Sequence, residues 1–184
     1  MEAALHLMDS DVAVNALSVV NDRSAKYPGE VYDFLRDAGF AHMQFIPCVE
    51  VDPVTGGSTE FSVSPEQYGN FLCEVFDRWY NGGNPEASIR DFEAILAVYV
   101  GQEAPLCCYQ KTCGSYLVVE YNGDVYPCDF FVRQELRIGN VMDTSWEEAL
   151  RSPVYERFGS RKSEWSEECA RCEYLPLCAG DCPK

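Results

Sequence analysis

The chain has 184 residues, 47% of them apolar, and carries 30 acidic against 14 basic side chains for a net charge of −16. A chain of this size and composition can bury a core without covalent staples. The acids are spread along its whole length, which argues against nucleic acid and anionic membrane surfaces as partners, since both need basic patches. An acidic surface can attract a cationic peptide or ligand, or can simply be solvated. No stretch approaches the roughly twenty apolar residues of a membrane span. Glu2, Asp9 and Asp11 stand where an export signal would be basic and then apolar, so the chain reads as cytoplasmic.

Ala3, Ala4, Leu7 and Met8 have the spacing of the end of an amphipathic helix. Val12 to Val20 is a β-branched, largely apolar run, which predicts a strand buried on both faces. From Pro28 to Ala38 the residues Val31, Phe34, Leu35 and Ala38 share one helical face, and Gly39 is the stop. Ala41 to Pro47 predicts a second strand, parallel to the first in one βαβ unit. Two strands do not make a stable parallel sheet, so residues 1–60 are expected to be the last part of a larger α/β barrel.

Cys48 to Val63 reads as a loop, after which Ser64, Pro65 and Gln67 form a capping box that opens a helix. Tyr68, Phe71, Leu72, Val75, Phe76 and Trp79 give that helix a broad apolar face, and Cys73 is expected as a core thiol. Asn81-Gly82-Gly83-Asn84 breaks the chain before a second helix from about Ser88 to Val100. Residues 61–106 thus read as a two-helix connector. Tyr116 to Tyr121 and Asp124 to Pro127 flank Asn122-Gly123, a hairpin signal in which both turn residues would take positive φ. Ser145 to Glu148 is another capping box, opening a short helix to about Arg151; Pro153 ends it or starts a further one.

Seven of the ten cysteines form one array. Cys107 precedes Cys113, which begins the pattern C-x9-G-x4-C that ends at Cys128; Cys169, Cys172, Cys178 and Cys182 follow as C-x2-C-x5-C-x3-C. Gly123 explains the first spacing, because a hairpin turning there brings Cys113 and Cys128 together at its open end. Disulfides would need an exported chain. Zinc ribbons place two knuckles about 15–20 residues apart, whereas four sulfurs this compressed suit a loop around something bulkier than one ion. The spacing therefore favours an iron–sulfur centre over zinc. His6 and His42 are too few and too separated for a triad or a histidine metal site.

This cysteine array resembles the SPASM auxiliary-cluster domain of radical S-adenosylmethionine enzymes. Val125-Tyr126-Pro127-Cys128-Asp129-Phe130-Phe131, the Cys107 spacing, and Tyr68-Gly69-Asn70-Phe71-Leu72 with Trp79-Tyr80 narrow the resemblance to anaerobic sulfatase-maturating enzymes. It implies a partial radical S-adenosylmethionine (β/α) barrel over 1–60, the helical connector over 61–106, and a small β-hairpin, cysteine-rich SPASM iron–sulfur domain over 107–184. The motif C-x3-C-x2-C for the cluster that cleaves S-adenosylmethionine is absent, and so is the last SPASM cysteine. The chain is therefore expected to be a fragment truncated at both ends and inactive alone.

In the whole enzyme the resemblance implies an oxidoreductase. A 5′-deoxyadenosyl radical takes a hydrogen from Cβ of a cysteine or serine in an unfolded sulfatase segment. A base removes the thiol or hydroxyl proton, a second electron leaves, and hydrolysis gives Cα-formylglycine. Cys107, Cys113, Cys128 and Cys182 would hold a first auxiliary [4Fe–4S] cluster, and Cys169, Cys172 and Cys178 a second. A third cluster would lie in the N-terminal part. Asp129 would be the general base, Val49 a candidate contact to S-adenosylmethionine with packing as its alternative, and Cys108 a spare thiol. A ferredoxin or flavodoxin would be the redox partner. The open alternatives are a SPASM maturase of another ribosomal peptide, or a zinc-binding interaction module.

Overall fold

The computed structural model describes residues 1–183, which form two compact units, Met1–Glu93 and the described residues from Ala94 onward. In the first unit α1 (Glu2–Met8) leads into β1 (Asn15–Val20), followed by α2 (Pro28–Asp37), β2 (His42–Pro47), α3 (Pro65–Tyr80), β3 (Ser88–Ile89) and α4 (Arg90–Tyr99), which runs on into the second unit. β1 and β2 pair in parallel from Asn15 opposite His42 to Val20 opposite Pro47, so the βαβ unit forms as expected. A third parallel strand, β3, adds to β2 through His42 opposite Ser88. It escaped the sequence reading because it is two residues long and merges directly into α4.

One layer of helices covers one face of this sheet. Val20, Tyr32, Leu35, Met43, Phe45, Phe71, Val75, Trp79 and Ile89 meet in its core. α3 starts as predicted, with Ser64 Oγ accepting from Gln67 N–H and the Gln67 side chain accepting from Ser64 N–H. Tyr68 then donates to the Phe45 carbonyl at 2.7 Å, and Trp79 Nε1 to the Ala87 carbonyl, which ties the helix to β2 and to the approach to β3.

Three expectations need correction. β1 is not buried on both faces: Ala16 and Val20 point into the core, while Leu17 and Val19 are about 60% exposed. The buried face of α2 is Pro28, Tyr32 and Leu35, spaced i, i+4, i+7, which turns Phe34 outward. Cys73 is exposed, because it lies on the opposite side of α3 from Phe71 and Val75.

The second unit has β4 (Val118–Val119), β5 (Asp124–Tyr126) and β6 (Gly139–Asn140), then α5 (Trp146–Leu150), α6 (Pro153–Arg161), α7 (Glu167–Arg171) and α8 (Leu175–Cys178). β4 and β5 are antiparallel with Val119 opposite Val125, and β6 pairs with β5 on its other side. The hairpin turn differs from the expected one. Glu120 C=O accepts from Gly123 N–H, Glu120 N–H donates to Asp124 C=O, and only Gly123 has positive φ, at 85°. This is a three-residue connection ending in a left-handed glycine, so Asn122 need not take positive φ. Ser145 and Glu148 cap α5 as predicted, and Pro153 starts α6 rather than ending α5.

Asp124 fixes the three strands to one another. Its carboxylate accepts from Arg137 at 2.6 Å, from Asn140 Nδ2 at 3.0 Å and from Asn122 Nδ2 at 2.9 Å. The Arg137 bond, then the Asn140 bond, hold its pKa down to about 2 from 3.8. A depressed carboxyl pKa stabilises the fold above the unfolded value and loses that contribution as pH falls through the folded one. Hairpin stability is therefore expected to drop between about pH 4 and pH 2. Asp124→Asn should remove that step from the acid-unfolding profile, which circular dichroism against pH would read.

Candidate functional site

A small pocket, partly open to solvent, is lined by Cys107, Cys108, Cys113, Cys128 and Cys182, with Pro127, Phe130, Phe131 and Phe158 as apolar wall. The cysteines arrive from four separate segments. Cys107 and Cys108 start the 3₁₀ turn Cys107–Tyr109. Cys113 lies in the following loop. Cys128 stands two residues past the end of β5, and the hairpin register carried on by two residues sets it opposite Tyr116. Cys182 follows three successive residues in the left-handed region, Ala179, Gly180 and Asp181, with φ of 50°, 84° and 56°. None of the described cysteines forms a disulfide.

Cys113 senses the other three directly. Burial pushes its thiol up, the Lys162 ammonium opposes this, and Cys182, Cys107 and Cys128 each add to the rise. Burial also raises Cys128, against a hydrogen bond from Tyr116. A metal centre bound here would displace these protons, so loading is favoured as pH rises.

The donor set fits a polynuclear centre. A tetrahedral zinc with Zn–S of about 2.3 Å draws its sulfurs to about 3.8 Å from one another. Among the described residues no three Cys, His, Asp or Glu side chains are gathered closely enough to hold a single ion. Four soft sulfurs spread around an apolar-walled pocket suit an iron–sulfur cluster.

Helix α6 builds the pocket's inner side. Gly159 lies so close to the cysteine loop that a Cβ there would stand 2.6 Å from the Cys113 carbonyl oxygen. Its own carbonyl, one of the last four of α6, accepts from Cys113 N–H at 3.1 Å. Tyr155 donates to the Tyr116 carbonyl, Phe158 packs edge-on to Phe131 at 5.3 Å, and Ser163 donates to the Lys111 carbonyl at 2.7 Å. Lys162, 5% exposed, donates to the carbonyls of Cys107 at 2.8 Å and Cys108 at 2.6 Å.

Asp129 opens the 3₁₀ turn after Cys128 and is exposed beside the pocket. Tyr116 donates to its Oδ1 at 2.8 Å, and the Cys128 thiol lies 3.4 Å from the same oxygen. Burial pushes this carboxyl up, but the bonds from Tyr116 and Cys128 outweigh that, and the net shift is downward. The Tyr116 phenol is raised, by burial first and then by its own bonds to Cys128 and Asp129.

The second predicted set sits apart from the pocket. Cys169 lies in α7, Cys172 directly after it, and Cys178 ends α8; none of the three lines the pocket of the other four. Val49 is an exposed residue two positions past the end of β2, where Cys48 N–H still pairs with Val20. Sequence reasoning missed Tyr116, Gly159 and Lys162. Gly159 carries no sequence signal that separates it from Gly69, another glycine inside a helix, around which the space is open.

The SPASM family, an iron–sulfur cluster-binding domain, matches residues 107–173, so Cys178 and Cys182 lie beyond the matched segment. The chain is 37% identical over 185 residues to the serine-type anaerobic sulfatase-maturating enzyme of Bacteroides thetaiotaomicron, covering 92% of this chain and 45% of that protein. It is 33% identical over 174 residues to the cysteine-type anaerobic sulfatase-maturating enzyme of Clostridium perfringens, covering 93% and 47%. The solved structure of native anSMEcpe with bound AdoMet and Cp18Cys peptide matches with a TM-score of 0.90 at 33% identity, over 98% of this chain and 51% of that one. The chain spans about half the length of these relatives.

Gly159→Ala should push α6 away from Cys113, because the clashing atom is backbone and cannot rotate aside. Overpacking of this kind typically costs about 1–3 kcal/mol, and iron uptake at the pocket should fall with it. Gly69→Ala is the control. That glycine is exposed in α3 with open space around it, and alanine there should stabilise by about 0.5–1 kcal/mol. Denaturation midpoints and iron per chain after anaerobic reconstitution would check both.

Proposed function

Since this chain is a homologue of the anaerobic sulfatase-maturating enzymes and carries a SPASM domain, we propose that it is the auxiliary-cluster part of a radical S-adenosylmethionine oxidoreductase that converts a cysteine or serine of a sulfatase to Cα-formylglycine. The observation that carries the reading is the convergence of Cys107, Cys113, Cys128 and Cys182 on one apolar-walled pocket with Asp129 beside it. Residues 107–184 are the cluster-holding domain. Residues 1–60 belong to the radical barrel, a reading supported by a parallel sheet that leaves Leu17 and Val19 uncovered on one face.

Cys107, Cys113, Cys128 and Cys182 hold the first auxiliary [4Fe–4S] cluster; Cys169, Cys172 and Cys178 supply ligands to a second. When bound, such a cluster supplies an acceptor for one electron. Ligation by four thiolates leaves no iron open to substrate, so the first centre does not act as a Lewis acid. Asp129 is the general base. Its carboxylate takes the thiol or hydroxyl proton of an unfolded sulfatase segment, next to the centre that receives the electron. Tyr116 holds that carboxylate by Oδ1. Val49, past the end of β2, is the candidate contact to S-adenosylmethionine, and a ferredoxin or flavodoxin is the external redox partner.

Asp129→Asn in the complete enzyme keeps the side-chain shape but cannot take the proton. It should still cleave S-adenosylmethionine while formylglycine formation falls by about 10²–10⁴, measured by mass spectrometry of a sulfatase peptide. Product formation near the wild-type level, with both auxiliary clusters intact by iron and sulfide analysis, would remove Asp129 from the chemistry. A chain that takes up zinc and no iron would remove the oxidoreductase reading altogether.

A further inference from the structure

Lys162 is the one buried charged side chain among the described residues. Lysine usually buries its stem and keeps its ammonium in water, and a buried charge is normally paired. Here two of the three N–H donors are spent on the Cys107 and Cys108 carbonyls. Those are neutral acceptors, which satisfy hydrogen bonds without cancelling the charge. Among the described residues no carboxylate lies within ion-pair distance of Nζ. The side chain lines the four-cysteine pocket, and its charge is felt at Cys113. A chain with 30 acids offers this lysine many partners, yet it turns inward to the backbone of the cysteine loop.

We propose that Lys162 is the built-in counter-charge of the four-cysteine centre, a positioning residue that fixes the Cys107–Cys108 turn and sets the centre's reduction equilibrium. The inference rests on the auxiliary-cluster reading given above. Four thiolates outweigh the positive charge of an iron–sulfur core, and reduction adds one further negative charge. A fixed cation in an apolar-walled pocket therefore favours the reduced form, and net charge is one of the levers that set a cluster's potential. The acidic remainder of the chain pulls the other way, which gives the single buried cation its weight.

The test uses the anaerobically reconstituted chain, with the pocket's electron paramagnetic resonance signal identified by its loss in Cys113→Ala. Lys162→Gln keeps N–H donors for the two carbonyls and drops the charge; Lys162→Arg keeps the charge. The Gln variant should be harder to reduce by about tenfold, a potential more negative by about 59 mV for one electron, while the Arg variant stays close to wild type. Loss of the cluster in the Gln variant alone would also support the proposal, since assembly then depends on the charge. An unchanged potential in a Gln variant that keeps its cluster, or equal loss of the cluster in both variants, would overturn the counter-charge role and leave the cluster reading standing. A wild-type chain that binds no iron would overturn the cluster reading, and this inference with it.

Discussion

The backbone-to-backbone approach of Gly159 and Cys113 is the constraint on which the site depends. Helix α6 touches the cysteine loop without a side chain between them, and a carbonyl at its C-terminal end receives the Cys113 N–H. Once that contact is made, helical geometry places Tyr155 against Tyr116 and Phe158 against Phe131, and just past the helix end Lys162 and Ser163 reach the carbonyls of Cys107, Cys108 and Lys111. The loop itself has little regular structure, so α6 is what turns a string of thiols into a pocket wall. The buried apolar set of this unit is small, with Leu106, Val125, Tyr126, Tyr155 and Phe158 as its larger members. Small cores of this kind commonly draw further stability from ligation where a metal centre is bound.

Features governed by local rules were legible from residue types alone. Ser64-Pro65-Gln67 and Ser145-Glu148 began helices as read, because a capping box is satisfied within four residues. The parallel pairing of β1 and β2 followed from the length of their connection. The misses came where tertiary context decides. β-branched residues in β1 suggested two buried faces, yet a strand is covered only where something packs on it, and nothing in the first unit covers Leu17 and Val19. Strands of two residues, β3 and β6, have no periodicity to detect.

The site divided along the same line. Cysteine spacing and the glycine turn pointed to Cys113 and Cys128 as neighbours, since both ends of one hairpin are tied by a single register. Tyr116 shares that register but carries no motif of its own. Lys162 lies 55 residues from Cys107, and lysine is the residue type least expected inside. Its burial is a property of the assembled pocket, invisible in any local window.

The run Ala179-Gly180-Asp181 links two cysteines assigned to different centres. Left-handed conformations cost ordinary residues roughly 1–2 kcal/mol each, and two of these three carry a Cβ. Cys182 is thus delivered to the pocket by a wound latch, while Cys107, Cys113 and Cys128 are anchored through α6 and the hairpin. A centre bound here would meet two kinds of corner: one set by three left-handed residues in a row, and three set by α6 and the hairpin.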